Sequence, residues 1–155
     1  MIAIVAAALL ATAVPPGEEP VDPYPQSNAN AGATPLSGTA TWDAFHGEAG
    51  VSRIVDDLVA RLVADRRISD IFKAHDLVRL RRTLKEQFCY VLNGGCAYTG
   101  RDMVAAHKDL GLQTADMGAL VEDLQAAMRQ EGVSFAAQNR LLAKLAPIKR
   151  QAIGR

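Results

Sequence analysis

Asn93-Gly94-Gly95-Cys96-Ala97-Tyr98-Thr99-Gly100-Arg101-Asp102-Met103-Val104-Ala105-Ala106-His107-Lys108-Asp109-Leu110-Gly111-Leu112 is the stretch around which the chain is organised. It opens on a glycine pair that breaks a helix. It then turns through Tyr98-Thr99-Gly100 and delivers one histidine, with another glycine four residues later. A neutral imidazole on a short helix under a loop can be held in one orientation, so His107 is a candidate metal ligand. Spacing alone does not carry that reading. A lone histidine beside Ala105 and Ala106 is more often a core or surface residue, and no second metal-binding residue stands at a diagnostic distance.

On either side of this stretch the pattern is helical. Val51, Ile54, Val55, Leu58, Leu62 and Val63 recur at i, i+3, i+4, i+7, i+11 and i+12, with Val59 at the edge of the stripe. Arg66 to Asp70 reads as a turn or short helix leading to Ile71-Phe72. Leu77, Leu80, Leu84, Phe88 and Val91 predict a second helix from about Leu77 to Leu92, with Asp76 as its cap. Beyond His107, Thr114 reads as a cap for a stripe of Met117, Leu120, Val121, Leu124 and Met128, and Gly132 ends it. A last helix starts near Ser134 and carries Leu141, Leu142, Leu145 and Ile148. Pro147 inside it should kink it or remove a hydrogen bond. No strand-like alternation interrupts the series, so the predicted class is all-α. By themselves the stripes require only a helical core.

Length and composition limit the alternatives. The 155 residues suit one domain, and 49% hydrophobic residues can supply its core. Formal net charge is zero, which gives no electrostatic case for nucleic acid or an anionic membrane. Residues 1–14 are a run of Ile, Ala, Val and Leu closing in Ala11-Thr12-Ala13. The run is short for a membrane span and suits the apolar region and cleavage site of a signal peptide. The expectation is export to the periplasm, or an uncleaved N-terminal anchor. No Lys or Arg lies near Met1, so a misassigned start would leave the protein cytoplasmic. Residues 15–40 hold six of the seven prolines among Gly, Ser, Asn and Ala. They read as a disordered linker that buries too little to offset its ordering entropy. The folded domain is then 41–155.

Gly94-Gly95, Tyr98-Thr99-Gly100, Met103, His107, Gly111 and Leu112 stand in the order and spacing of the truncated haemoglobins. From about Asp43 to Ile153 the chain resembles that family, most closely its group 1. The resemblance implies a shortened globin, a two-over-two helical sandwich that holds haem b (iron protoporphyrin IX), with His107 as the proximal iron ligand. It places Phe72, Leu80, Leu84 and Phe88 around the haem, with Met103, Leu112, Met117, Leu120 and Leu145. Phe72 also reads as an interhelix core plug, or, by the resemblance, as the ring lying flat on the porphyrin. A basic residue at the pocket mouth would meet the haem propionates, and the sequence does not choose between Arg82 and Arg81. The family usually has a glycine pair where this chain has His46-Gly47, and His46 reads as a surface residue.

The distal face departs from the family. The resemblance puts Val59 where group 1 members commonly carry tyrosine. It puts Leu80, Thr83 and Leu84 where some carry glutamine or histidine. Thr83 is the one hydroxyl nearby. A charge-assisted hydrogen bond to bound oxygen stabilises it by about 1–3 kcal/mol, so its loss speeds oxygen release by roughly tenfold to a hundredfold. The implied function is reversible binding of diatomic gases (oxygen, nitric oxide, carbon monoxide), for binding, transport or detoxification, with an unidentified reductase keeping the iron ferrous. Nitric oxide dioxygenase or peroxidase-like chemistry is a side activity on this reading. The competing account is a haem-free sensor or interaction module on the same scaffold.

Cys89 and Cys96 are seven apart with Gly94-Gly95 between them, so the chain can turn back to close a bridge. Two buried thiols are the other reading. A bridge would add about 2.5 kcal/mol in the chain-entropy account. A thiol-redox function ranks last, since the spacing is not Cys-x-x-Cys.

Overall fold

The stripe that begins at Val51 is buried as far as Leu62 in α2 (Gly47–Ala64), the helix on which the others pack. These are features of a computed structural model, which describes residues 13–154. The expected signal or anchor, 1–14, lies outside the described residues apart from Ala13 and Val14. Among the described residues no helix is long and apolar enough to cross a membrane.

A short α1 (Ala40–Ala44) leads into α2 through a tight corner. His46 and Gly47 both take the left-handed conformation, at φ 61° and 63°. The corner also needs Gly50, where a Cβ would stand 2.0 Å from the Phe45 carbonyl oxygen. The His46 imidazole faces outward and meets Glu131 at 2.9 Å. After α3 (Ser69–Lys73) comes α4 (Leu77–Val91), capped by the Asp76 carboxylate, which accepts from the Arg79 amide at 2.9 Å. The five-residue α5 (Met103–His107) is capped in the same way by Asp102. The long α6 (Thr114–Gln130) follows, then α7 (Phe135–Leu145) and the final turn α8 (Lys149–Ala152).

All regular elements among the described residues are helical. α2 lies against α4 and α6, and α4 against α7, which is a two-over-two sandwich. Ile54, Val55, Leu58 and Leu62 of α2 meet Phe88 and Val91 of α4, Leu124 and Met128 of α6, and Leu141 of α7. Each such side chain contributes about 1.5–3 kcal/mol by leaving water.

Several expectations change in detail. Thr114 is the first residue of α6 and not its cap. The Gln113 amide instead donates to Asp116 at 2.8 Å. Pro147 does more than kink the last helix: α7 stops at Leu145, a 3-10 turn spans Ala146–Ile148, and α8 restarts beyond. Val59 is not at the edge of its stripe but fully buried in the core. Cys89 and Cys96 are bridged, with their Cα atoms 5.7 Å apart. Gly94 is required inside that loop, because a Cβ there would press on Trp42 at 2.7 Å.

The largest difference concerns the expected disordered linker, 15–40. It is laid down as a strap along α4 and the loop before α5. Leu36 donates its amide to the Val91 carbonyl at 2.8 Å, and the Tyr24 hydroxyl donates to the Thr99 carbonyl at 2.7 Å. Asn28 accepts from the Tyr98 amide at 2.9 Å, while Ala31, the last residue of a 3-10 turn (Asn28–Ala31), is fully buried. Two physical terms explain the difference. Prolines lower the entropy that ordering must overcome. Polar side chains supply partners that an estimate based on apolar burial leaves out.

Candidate functional site

A cavity of about 360 Å³ opens between α4, α5 and α6. The apolar side chains of α4 form one wall: Leu80, Leu84 and Phe88 stand at i, i+4 and i+8. Met117, Leu120 and Leu124 of α6 form the facing wall. Phe72, Ile71, Leu112, Leu145 and Ile148 complete the apolar lining. α2 contributes Leu58 and Leu62. Every pocket residue proposed from the sequence except Val59 therefore lines this one space, with Met103 and His107 projecting from α5.

The local geometry fixes how His107 presents itself. Its Nδ1 lies 2.6 Å from the carbonyl oxygen of Met103. A carbonyl can only accept, so Nδ1 carries the proton and Nε2 keeps its lone pair. Among the described residues no hydrogen bond reaches Nε2. Burial pushes the imidazole below its usual pKa. The Met103 carbonyl pulls the other way and Arg101 adds to the depression. The ring is therefore neutral near pH 7. Its basic nitrogen is free for a metal.

Among the described residues no three His, Cys, Asp or Glu side chains are grouped to cage a metal ion. One imidazole in a large apolar cavity instead suits a metal that arrives with its other ligands in a flat apolar macrocycle.

Three polar groups on the wall are already committed. The Thr83 hydroxyl donates to the Arg79 carbonyl at 2.9 Å, within its own helix. The Tyr98 hydroxyl donates to the Arg101 carbonyl at 2.9 Å, and burial pushes its pKa up to about 12. Gln87, which is buried, donates through Nε2 to the Ala31 carbonyl at 2.8 Å and lies 3.5 Å from the Met103 sulfur. Among the described residues, none of these hydroxyl or amide hydrogens points free into the cavity.

Sequence reasoning missed Gln87, although it continues the Leu80–Leu84 face at i+7. It also missed the strap residues Glu19, Pro20 and Val21, which join the cavity lining. Of the basic residues, Arg81 turns away to Asp56 at 3.7 Å. Arg79 and Arg101 line the cavity, and Arg82 lies one helical turn along from Arg79, bonded to the Thr99 hydroxyl at 2.6 Å.

Comparison with known proteins agrees with this architecture. The profile of the bacterial-like globins matches residues 40–153. A group 1 truncated haemoglobin of Tetrahymena pyriformis is 28% identical over 98 residues, covering 63% of this chain and 81% of its own. A group 1 relative from Nostoc commune is 29% identical over 93 residues, covering 60% and 79%. The solved ferric structure of the T. pyriformis truncated haemoglobin superimposes with a TM-score of 0.71. It covers 74% of this chain and 98% of its own, at 24% identity, a likeness of fold.

Proposed function

This chain belongs to the bacterial-like globin family, with the two-over-two fold of truncated haemoglobins, and we propose that it binds haem in the α4–α6 cavity through His107 and there takes diatomic gases. The observation that carries the reading is the His107 geometry. Nδ1 is engaged by Met103, Nε2 is free, and the surroundings are apolar. Bound haem would supply an iron centre for small gases such as oxygen, nitric oxide and carbon monoxide.

The chain's own residues would do the rest. Met103 fixes the imidazole tautomer and plane. Phe72, Phe88, Met117 and Leu120 would cover the macrocycle and exclude water. Leu80 and Leu84 offer no hydrogen-bond donor, and the Thr83 proton is spent within α4. The pocket therefore favours gases that need no polar partner and retains oxygen weakly. Both cysteines are joined to each other, so neither is available for a thioether link, which supports non-covalently held haem b.

The test is a visible spectrum of purified protein supplied with haemin, ferric and then dithionite-reduced. Wild type should give a Soret band and a single broad reduced band, the mark of five-coordinate iron. His107→Ala should lose or alter both. No haem uptake by the wild type would refute this function and leave a haem-free helical module as the account.

A further inference from the structure

The strap ends over the cavity mouth, and its charge chemistry there is specific. Glu18 stands beyond a turn in which its amide donates to the Pro15 carbonyl at 3.1 Å and Gly17 takes φ 81°. The Glu18 side chain is 1% exposed, although the surrounding segment is mostly open. One carboxylate oxygen accepts from Nε of Arg82 and the other from the second Arg82 donor at 3.0 Å, with Arg79 at 3.2 Å. The next residues complete the closure. The Glu19 amide donates to Asp76 at 2.8 Å, and its carbonyl accepts from Arg79. Glu19, Pro20 and Val21 then form part of the cavity wall.

We propose that residues 15–24 are a displaceable lid. In this reading Glu18 occupies the Arg79–Arg82 pair as an internal stand-in for the acid groups of haem, so haem uptake exchanges one carboxylate for another. The inference rests on the haem reading above.

Charge count favours exchange over addition. Arg79 and Arg82 already face three carboxylates, from Glu18, Asp76 and Glu86. The two propionates of haem would bring two more negative charges to the same edge, and like charges in a partly buried site repel. One resident acid must leave. Asp76 is fixed as the cap of α4, and Glu86 is held by the Thr99 amide at 2.8 Å. Glu18 alone of the three sits on the strap. It is tethered beyond by Tyr24, whose hydroxyl meets the Thr99 carbonyl.

The test uses the full-length apo protein, wild type and Glu18→Gln, with two readouts. The first is hydrogen exchange at the Glu19 amide with and without haemin. The second is stopped-flow uptake of haemin and of haemin dimethyl ester, which lacks free acids. Wild type should protect the Glu19 amide when apo and lose that protection on haemin uptake. Glu18→Gln should lose the protection when apo and take up haemin about tenfold faster, the scale of one charge-assisted hydrogen bond. Tyr24→Phe, which frees the far tether and leaves the arginines alone, should raise uptake by less. The ester, which cannot take over the arginines, should gain less from Glu18→Gln than haemin does. Haemin uptake with the Glu19 amide still protected, or an unchanged rate in Glu18→Gln, overturns the exchange. A wild type that takes up neither porphyrin overturns the haem reading itself, a different and recognisable result.

Discussion

Leu84→Gln would place a hydrogen-bond donor on the α4 wall, where Leu80 and Leu84 offer none. Leu84 lies on the α4 wall between Leu80 and Phe88, is only partly buried, and is close in size to glutamine, so the new side chain can occupy the same space. Two polar neighbours on α4 are already engaged. Thr83 is bonded to the Arg79 carbonyl at 2.9 Å, and Gln87 to the Ala31 carbonyl at 2.8 Å. A charge-assisted hydrogen bond to the gas contributes about 1.5–3 kcal/mol, so oxygen release should slow by on the order of tenfold to a hundredfold. Carbon monoxide release, which depends less on a donor, should change far less. The assay is stopped-flow displacement of oxygen by carbon monoxide from the reduced haem-loaded protein, with carbon monoxide replacement by nitric oxide as the comparison. Thr83→Val is the control and should leave oxygen release unchanged, since its hydroxyl serves the helix. Slow oxygen release by the wild type, or faster release in Thr83→Val, would refute the reasoning, because either result means that a donor already reaches the gas.

Three further outcomes follow from the fold. Replacing both cysteines with serine should lower stability by about 2.5 kcal/mol in urea titration, the chain-entropy value for so short a loop. Gly50→Ala should cost about 2 kcal/mol or more by the same titration, because its Cβ meets the Phe45 carbonyl oxygen at 2.0 Å and backbone must shift. Acid should act through Asp65 and Glu131, each held at a pKa of about 2, by Arg67 and by Arg53 then His46 respectively. Their folded values lie below the unfolded carboxylate range, so their stabilisation is present above about pH 4 and is lost as pH falls toward 2. Thermal melts from pH 5 to 2 should show a shallower decline in Glu131→Gln than in wild type.

The helical half of the fold was legible because its stabilising term is periodic. Ile54, Val55, Leu58 and Leu62 bury one face of α2, and that face is written at helical spacing in the chain. The Asp76 cap and the helix start near Ser134 were legible because each bonds an amide three residues away; the same local bond at Asp102 went unread. The strap was not legible. Its bonds join residues far apart in sequence, such as Tyr24 to Thr99 and Glu18 to Arg82, and no period marks such pairs. Composition therefore argued for disorder where a few long-range polar contacts hold the segment. The same limit explains why Arg81 and Arg82 looked equivalent. Only the fold sends one to Asp56 and the other to the mouth.

For the site, the apolar wall could be placed from the residues and the family resemblance, but its polarity could not. Gln87 continues the Leu80–Leu84 face, so the helical period alone would have offered an amide donor to the cavity. That donor is withdrawn by the carbonyl of Ala31, a strap residue that is itself fully buried. The strap thus acts twice on the same space. Ala31 silences an amide inside it, and Glu18 engages the arginines at its mouth. A chain shortened to the globin profile, which begins at residue 40, would keep the helices and His107 but lose both effects. Its Gln87 amide would be released and its arginines exposed. Gas retention and haem uptake measured on such a fragment would describe a more polar and more open pocket than that of the full chain.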